Sequence, residues 1–598
     1  ARQAEVTAMR PRMIRRIIVL IIGLCSIAAA TDSSLTTLSE QSGFTRTGRY
    51  DEVERLCKAF ASRWSGQLKC FQFGTTPEGR PMMALAASAD GTTTAARARE
   101  RKRPVVLMQG GIHAGEIDGK DAGFLALREI LEGKAAPGAL KKVTFLFVPV
   151  FNIDGHERFG AWNRPNQRGP VEMGWRTTAQ NLNLNRDYTK AEAPEMRAML
   201  RLLDDWDPVA YADLHVTDGA DFEHDVSVTV GPEEDGDPGI AALAAAVRDE
   251  LCRRLDQQGS LALNYYPSFD RDDDPASGFS RQPTSPRYSN GYWGLRNRIG
   301  LLLETHSWKD YPTRVRITRN FIVDLLELAA ERGDEWQRLM RTADDGSSHV
   351  QGAAVPFAFV NTSATRMVDF RGYAYTREPS PISGMLVTRY DTSKPMTWHV
   401  PLREEVRATF AIDAPLAGYV IPPAVAEWLA DRLRLHGIRF EKLESARAAL
   451  RVEAWRATRV ELAKESFEGR VATTLQGAWR MEPHDVPAQS LFVPITQPNA
   501  RLVMALLEPQ APDSYASWGY FATAFEQKEY VEAYVAEQYG RELLEKDPAL
   551  KAEFYRKLAT DPEFARDPKA RLDFFYRHEP SWDLSYNLYP VYRVDQRP

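Results

Sequence analysis

In the stretch GGIHAGEIDG, residues 110–119, a histidine and a glutamate stand three residues apart between glycines, directly after the apolar run PVVLMQ. One loop turn can bring His113 and Glu116 to the same ion, since Zn2+ takes a His nitrogen and a carboxylate oxygen at about 2.0–2.2 Å. Gly110, Gly111 and Gly115 would let the backbone bend tightly there. A His-x-x-Glu pair arises easily by chance, so its meaning depends on what accompanies it. His215, in VAYADLHVTDG, ends another apolar run. Alone it reads more readily as a hydrogen-bonded structural histidine. Together the three residues make a two-His, one-carboxylate set with an open position for water, a site that lowers the pKa of that water to near 7 and polarises a carbonyl. Hydrolysis also needs a base that is not a ligand. Glu304, in GLLLETHSW, ends a third apolar run and is either a solvent-facing strand end or a general base that takes the water's proton and hands it to the leaving amine.

These residues must be held by an α/β sheet. From residue 104 to about 300, apolar runs alternate with helix-like segments, PVVLMQG, DAGFLALREILEG, VTFLFVPVFN, PEMRAMLRLLDDW and VAYADLHV, the pattern of a sheet covered by helices. The polar candidates fall just after the runs, at strand ends, where open α/β sheets place their sites. The Pro/Gly/Ser-rich stretch 268–294 is a long loop of the kind that is usually functional or mobile. After about residue 350 the pattern becomes β-like, as in FAFVNTSATRMVDFRGYAYT, then shows a helix with a glycine stop, AVAEWLADRLRLHG, short strands, and a helix-forming tail. The expected units are a leader with upstream residues over 1–30, a catalytic domain over 31–345, a β-rich and mixed accessory domain over 350–515, and a helical region over 516–598.

The chain has 598 residues, too many for one compact core. A net charge of -5 without a Lys/Arg block gives nucleic-acid binding little support. Arg10, Arg12, Arg15 and Arg16 precede IIVLIIGLCSIAAA, which ends in small residues. The run is shorter than the roughly 20 residues that span a bilayer, so it reads as a signal peptide cleaved near Ala30. The mature protein is expected to be exported, periplasmic or extracellular, with no stable membrane span. An oxidising compartment permits one bridge among Cys57, Cys70 and Cys252, with Cys57–Cys70 the favoured pair. Cysteines so spread make no thiolate cluster, so a metal here belongs on nitrogen and oxygen.

His113, Glu116, Asn185-Arg186 in NLNLNRDY, His215 and Glu304 follow one another in an order that resembles the zinc metallocarboxypeptidases of the carboxypeptidase A type. FGTTPEGRPM resembles the segment that opens that domain, and FNIDG the family's Asn-Pro-Asp-Gly turn. The resemblance implies a mixed, mostly parallel twisted sheet covered by helices and one Zn2+ on His113, Glu116 and His215, with Glu304 as base. It implies further that Asn185 and Arg186 hold the substrate's terminal carboxylate, a task suited to a guanidinium's planar fork, and that Tyr288 closes over it, with Tyr292 as competitor. The family's carbonyl-polarising arginine lies in a Trp-Arg stretch. Around AWNRPNQRG that role falls to Arg164 or Arg168, with Arg164 preferred.

Asn183 stands where the family often has an aspartate behind the first ligand histidine, which implies weaker support for His113. The acidic run Asp270, Asp272, Asp273 and Asp274 could line the pocket and favour a basic terminal side chain, or simply face solvent. The expected activity is hydrolysis of a peptide bond next to a free C-terminal carboxylate. Its rivals are an amidase or deacylase acting on N-acyl amino acids or cell-wall peptides, and a binding protein that holds peptides or glycans without turnover.

Overall fold

A computed structural model describes residues 33–598, so the expected signal peptide at 1–30 lies outside the described residues. Among the described residues, nine strands precede residue 306: β1 (Leu68–Thr75), β2 (Pro81–Ala87), β3 (Val105–Gly110), β4 (Thr144–Val148), β5 (Ala210–Val216), β6 (Val226–Gly231), β7 (Ala262–Leu263), β8 (Phe279–Ser280) and β9 (Ile299–Thr305). All except β8 form one sheet in the order β1-β2-β4-β3-β5-β9-β6-β7. Pairing is parallel through β4-β3-β5-β9 and at β6-β7, and antiparallel at β1-β2-β4 and β9-β6. The expected mixed, mostly parallel sheet is what is seen.

The central strands explain themselves: β3 and β5 are buried at every residue, as near-continuous apolar runs must be when helices cover both faces. The helix Asp118–Leu131 follows the GEIDG loop directly. Pro194–Trp206 starts with proline in its first turn and stops at Asp207, whose φ of 42° is left-handed. Tyr311–Ser347 is capped by Asp310, which accepts the Thr313 N–H. Cys57 and Cys70 form a disulfide, as favoured from sequence, and Cys252 is a buried free thiol. No helix among the described residues is long and apolar enough to cross a membrane.

The later chain adds β10 (Ala354–Asn361), β11 (Arg366–Pro379), β12 (Leu386–Arg403), β13 (Val406–Asp413), β14 (Gly418–Ile421), β15 (Glu441–Lys442), β16 (Arg447–Leu462), β17 (Thr473–Val486), β18 (Leu491–Pro494) and β19 (Tyr592–Val594). The sheet β15-β18-β14-β19-β16-β17 has the last strand of the chain in its interior, beyond the tail helices Ala533–Lys546, Pro548–Thr560, Pro562–Arg566 and Pro568–Tyr576. The reading of 516–598 as helical had no strand there. YRV is too short to declare itself, and its pairing with β14 and β16 is non-local. The region packs on the eight-stranded sheet through one continuous core, and β12 pairs with β8 from within the 268–294 stretch. His436, at the end of the helix Pro423–Leu435, is buried between the Tyr292 hydroxyl (2.9 Å) and the Thr189 carbonyl (3.2 Å).

At the carboxyl ends of the strands, the fully buried Arg314 holds three loops together. Its Nε donates to Asp118 Oδ2 at 3.0 Å, and its other nitrogens donate to the carbonyls of Arg168, Gly169, Ser307 and Lys309. Arg314→Met would leave Asp118 buried without its counter-charge. It is expected to lower unfolding free energy by about 3–5 kcal/mol in urea titration, with Arg314→Lys recovering only part because an ammonium lacks the planar fork.

Candidate metal centre and cavity

His113 and Glu116 sit on the loop leaving β3, where Gly111 turns the chain at a left-handed φ of 63°. The loop is tied to FNIDG, since Phe151 and Asn152 donate their N–H groups to the carbonyls of Gly110 and Gly111. Gly115 is required by close approach: a Cβ there would lie 2.5 Å from the Arg164 side chain. His215 is the penultimate residue of β5, and its parallel-ladder partner on β9 is Glu304. Two adjacent strand ends thus present the third candidate ligand and the candidate base side by side.

His113, Glu116 and His215 are buried and offer donor atoms within 4.8 Å of one another. Glu116 Oε1 lies 3.0 Å from His113 Nδ1, and Oε2 lies 2.9 Å from His215 Nδ1 while accepting the Val216 N–H at 3.0 Å. Both imidazoles turn Nδ1 inward. On the outer side, His113 Nε2 meets Asn183 Oδ1 at 3.2 Å and His215 Nε2 lies 3.0 Å from Asp213 Oδ2. The Asn183 acceptor suits His113 Nε2 to carry the ring proton and Nδ1 to face a cation, whereas His215 Nε2 makes no hydrogen bond and meets Asp213 only as a charge contact. Two imidazole nitrogens and one carboxylate, with no thiolate, fit a single divalent metal ion.

Burial pushes His113 down to about 4, against the pull of Glu116. Burial would raise Glu116, but the Arg164 guanidinium and the two histidines hold it well below the carboxylate range. Glu304 is pushed up to about 8, chiefly by burial, with His215 opposing and Glu116 adding to the rise. Its Oε2 is buried without a hydrogen-bond partner. A carboxylate kept dry beside the ligand cluster is suited to holding and releasing a proton near neutrality.

A cavity of about 500 Å³ opens over these groups. Asn185, Arg186 and Tyr288 line it with the three candidate ligands and Glu304. Arg186 stacks under the Tyr288 ring at 4.5 Å and has no acidic partner within 4.0 Å among the described residues. Asn185 Oδ1 is buried without a partner. Tyr292 is packed in the core and does not line the cavity.

Arg164 and Arg168 are not among the lining residues. Arg164 Nη1 lies 2.7 Å from Glu116 Oε1, and the Arg168 backbone is held by Ser307 and Arg314. Arg176 does line the cavity, 3.5 Å from Glu116 Oε1, with its carbonyl accepting from Asn152 Nδ2 of FNIDG at 3.0 Å. The signal that would have found it is the Trp-Arg dipeptide at 175–176, in MGWRTT rather than in AWNRPNQRG. Of the acidic run, Asp270, Asp273 and Asp274 are engaged with Ser280, Thr388 and Arg271, and none of the four aspartates lines this cavity.

Residues 53–266 match the family described as zinc carboxypeptidase. That segment carries a zinc carboxypeptidase domain. That domain and the buried His-Glu-His set support a metal-dependent peptide hydrolase, and the chain has an additional region beyond the matched domain. Carboxypeptidase 2 of Trichophyton equinum is 25% identical over 470 residues, covering 74% of this chain and 78% of the relative. Carboxypeptidase 2 of Trichophyton rubrum is 24% identical over 468 residues, covering 74% and 78%. Among solved structures, a putative carboxypeptidase A from Shewanella denitrificans aligns at 15% identity and a TM-score of 0.36, covering 47% of this chain and 69% of that one. A metallo-carboxypeptidase from Pseudomonas aeruginosa aligns at 16% identity and 0.33, with coverage of 47% and 69%.

His215→Ala and Glu116→Gln are expected to abolish stoichiometric binding of a divalent ion, measured by equilibrium dialysis and elemental analysis. Asn183→Ala should keep the stoichiometry but weaken affinity about tenfold in chelator competition, the lower end of the 10–100-fold effects of such supporting groups.

Proposed function

We propose that this protein hydrolyses the peptide bond next to a free C-terminal carboxylate, with one Zn2+ as its metal. The observation that carries this reading is the unpaired Arg186 guanidinium, with Asn185, in the same cavity as the ligand cluster and Glu304. A half-buried cation without a counter-ion favours an anionic ligand, and a guanidinium's fork matches a carboxylate. Zinc bound at His113, Glu116 and His215 would supply a Lewis acid that polarises a carbonyl and acidifies water.

The protein's own groups do the rest. Glu304 takes a proton from the attacking water on a carboxylate oxygen and delivers it to the departing amine. Arg176, which lines the cavity while Arg164 is held against Glu116 outside the lining, donates to the oxyanion developing at the scissile carbonyl. Asn185 and Arg186 fix the terminal carboxylate, and Tyr288 closes over it, excluding water from the reacting bond. Export is part of the proposal: it is supported by the Arg-then-apolar N-terminal sequence and by a disulfide, which persists in oxidising compartments. The proposed units are the catalytic domain over 31–345, the accessory domain over 350–515 and the region 516–598, whose last strand belongs to the accessory sheet.

Glu304→Gln is expected to retain metal by elemental analysis and to lose hydrolysis by roughly 10²–10⁴-fold. Full activity in that variant would remove the base assignment. Arg186→Ala should lower kcat/KM by roughly 10–100-fold, mainly through KM, the loss expected for a charge-assisted pair of hydrogen bonds. Product analysis of a peptide library by mass spectrometry, free and C-terminally amidated, separates this reading from its rivals. Equal turnover of amidated peptides would point to an amidase, and metal retention without any product to a binding protein.

A further inference from the structure

The loop joining β16 to β17 ends in a two-residue turn, Phe467-Glu468-Gly469-Arg470, closed by reciprocal N–H to carbonyl bonds between Phe467 and Arg470 at 2.8 and 3.1 Å. Its central residues are both left-handed, with φ of 49° at Glu468 and 75° at Gly469. This is the mirror-image turn that matches the twist of a hairpin, and Asn-Gly is its ordinary occupant. A glutamate in that conformation is strained, and such strain persists where the surroundings over-determine it, often at functional sites.

What Glu468 does there is to leave its own domain. Its Oε2 accepts the peptide N–H of Asn183 at 3.0 Å, and its carbonyl accepts from Lys190 Nζ at 2.9 Å. Its neighbour Arg470 donates through Nε to Glu192 at 2.8 Å. These contacts bracket the segment that carries Asn183 behind His113 and puts Asn185 and Arg186 into the cavity.

The facing wall is held in the same way. Asp513 is also left-handed, with φ of 61°. Its carboxylate accepts the Ser285 hydroxyl and the Arg287 N–H (3.2 Å), and pairs with the Arg287 guanidinium at 2.5 Å. The next residue is Tyr288. Arg287 also lies over the rings of Trp518 and Phe467, at 5.0 and 5.9 Å, joining the two grips.

We propose that Glu468 and Asp513 are positioning residues, through which the C-terminal region holds the Asn183–Arg186 segment and the Tyr288 loop at the separation that clamps a substrate carboxylate. The proposal rests on the carboxypeptidase reading for what is clamped. The grips themselves are independent of it. A short amide at position 468 suits the left-handed turn and cannot reach the Asn183 N–H.

Glu468→Asn in the full chain is therefore expected to keep or raise Tm and to retain metal. Amide hydrogen exchange over 181–188 should become about tenfold faster once the anchoring bond is lost. KM for the best library peptide should rise about tenfold with kcat within about twofold. Asp513→Asn should raise KM in the wild-type background and add little when Tyr288 is already alanine, because both act through one loop. A fall in Tm with kcat and KM moving together, unchanged exchange over 181–188, or an unchanged KM despite faster exchange would each overturn the proposal. If the wild-type chain cleaves no peptide, the carboxypeptidase reading fails by itself, and the exchange comparison still decides whether Glu468 holds the segment.

Discussion

One buried ion pair underlies the geometry of the site. Asp118 ends the GEIDG loop and faces Arg314, which reaches down from the first turn of the long helix Tyr311–Ser347. Asp118 Oδ2 also accepts the hydroxyl of Thr305, the residue after Glu304, at 2.9 Å. One carboxylate thus fixes both the loop that presents His113 and Glu116 and the strand end that presents Glu304. The remaining guanidinium donors stitch in the 168–169 and 307–309 turns. A buried pair of this kind gives little net stability against an apolar alternative. Its value here lies in direction, because a planar donor with fixed vectors leaves each loop one position, and ligand geometry tolerates only a few tenths of an ångström.

Charge around the ligands is distributed unevenly. Asn183, where a carboxylate would be expected, gives His113 a neutral acceptor, while His215 has the buried Asp213 behind it. Imidazole oriented by an amide stays a weaker donor than imidazole polarised by a carboxylate. The two ligands are therefore unequal in basicity, although the cluster as a whole keeps one outer carboxylate. Arg164 and Arg176, both close to Glu116, balance its negative charge at the floor of the cavity.

Much of this was legible in the amino-acid order, because the chemistry sits at the ends of strands that are themselves apolar runs. His113, Glu116, His215 and Glu304 each follow or close such a run, and the structure brings all four together. Arg176 escaped because it lies in irregular chain, placed by Asn152 through a bond to its carbonyl that no periodicity announces. Asp213 was hidden inside an apolar strand, and its relation to His215 follows from the alternation of a strand, which puts residues two apart on one face. The interior position of β19 and the reach of Glu468 to Asn183 depend on partners far along the chain, which local pattern cannot encode.

That last feature constrains how the site comes into being. The sheet that supports the β16–β17 hairpin has β19 between β14 and β16, so its hydrogen bonding is completed only by the final residues of the chain. Contacts of such sequence separation form late, because the loop they close must be ordered before they return any free energy. The metal ligands, by contrast, belong to a sheet complete by residue 305. Ligand geometry can therefore be established while the hairpin is still unsupported, and the contact of Glu468 with the Asn183 N–H follows it.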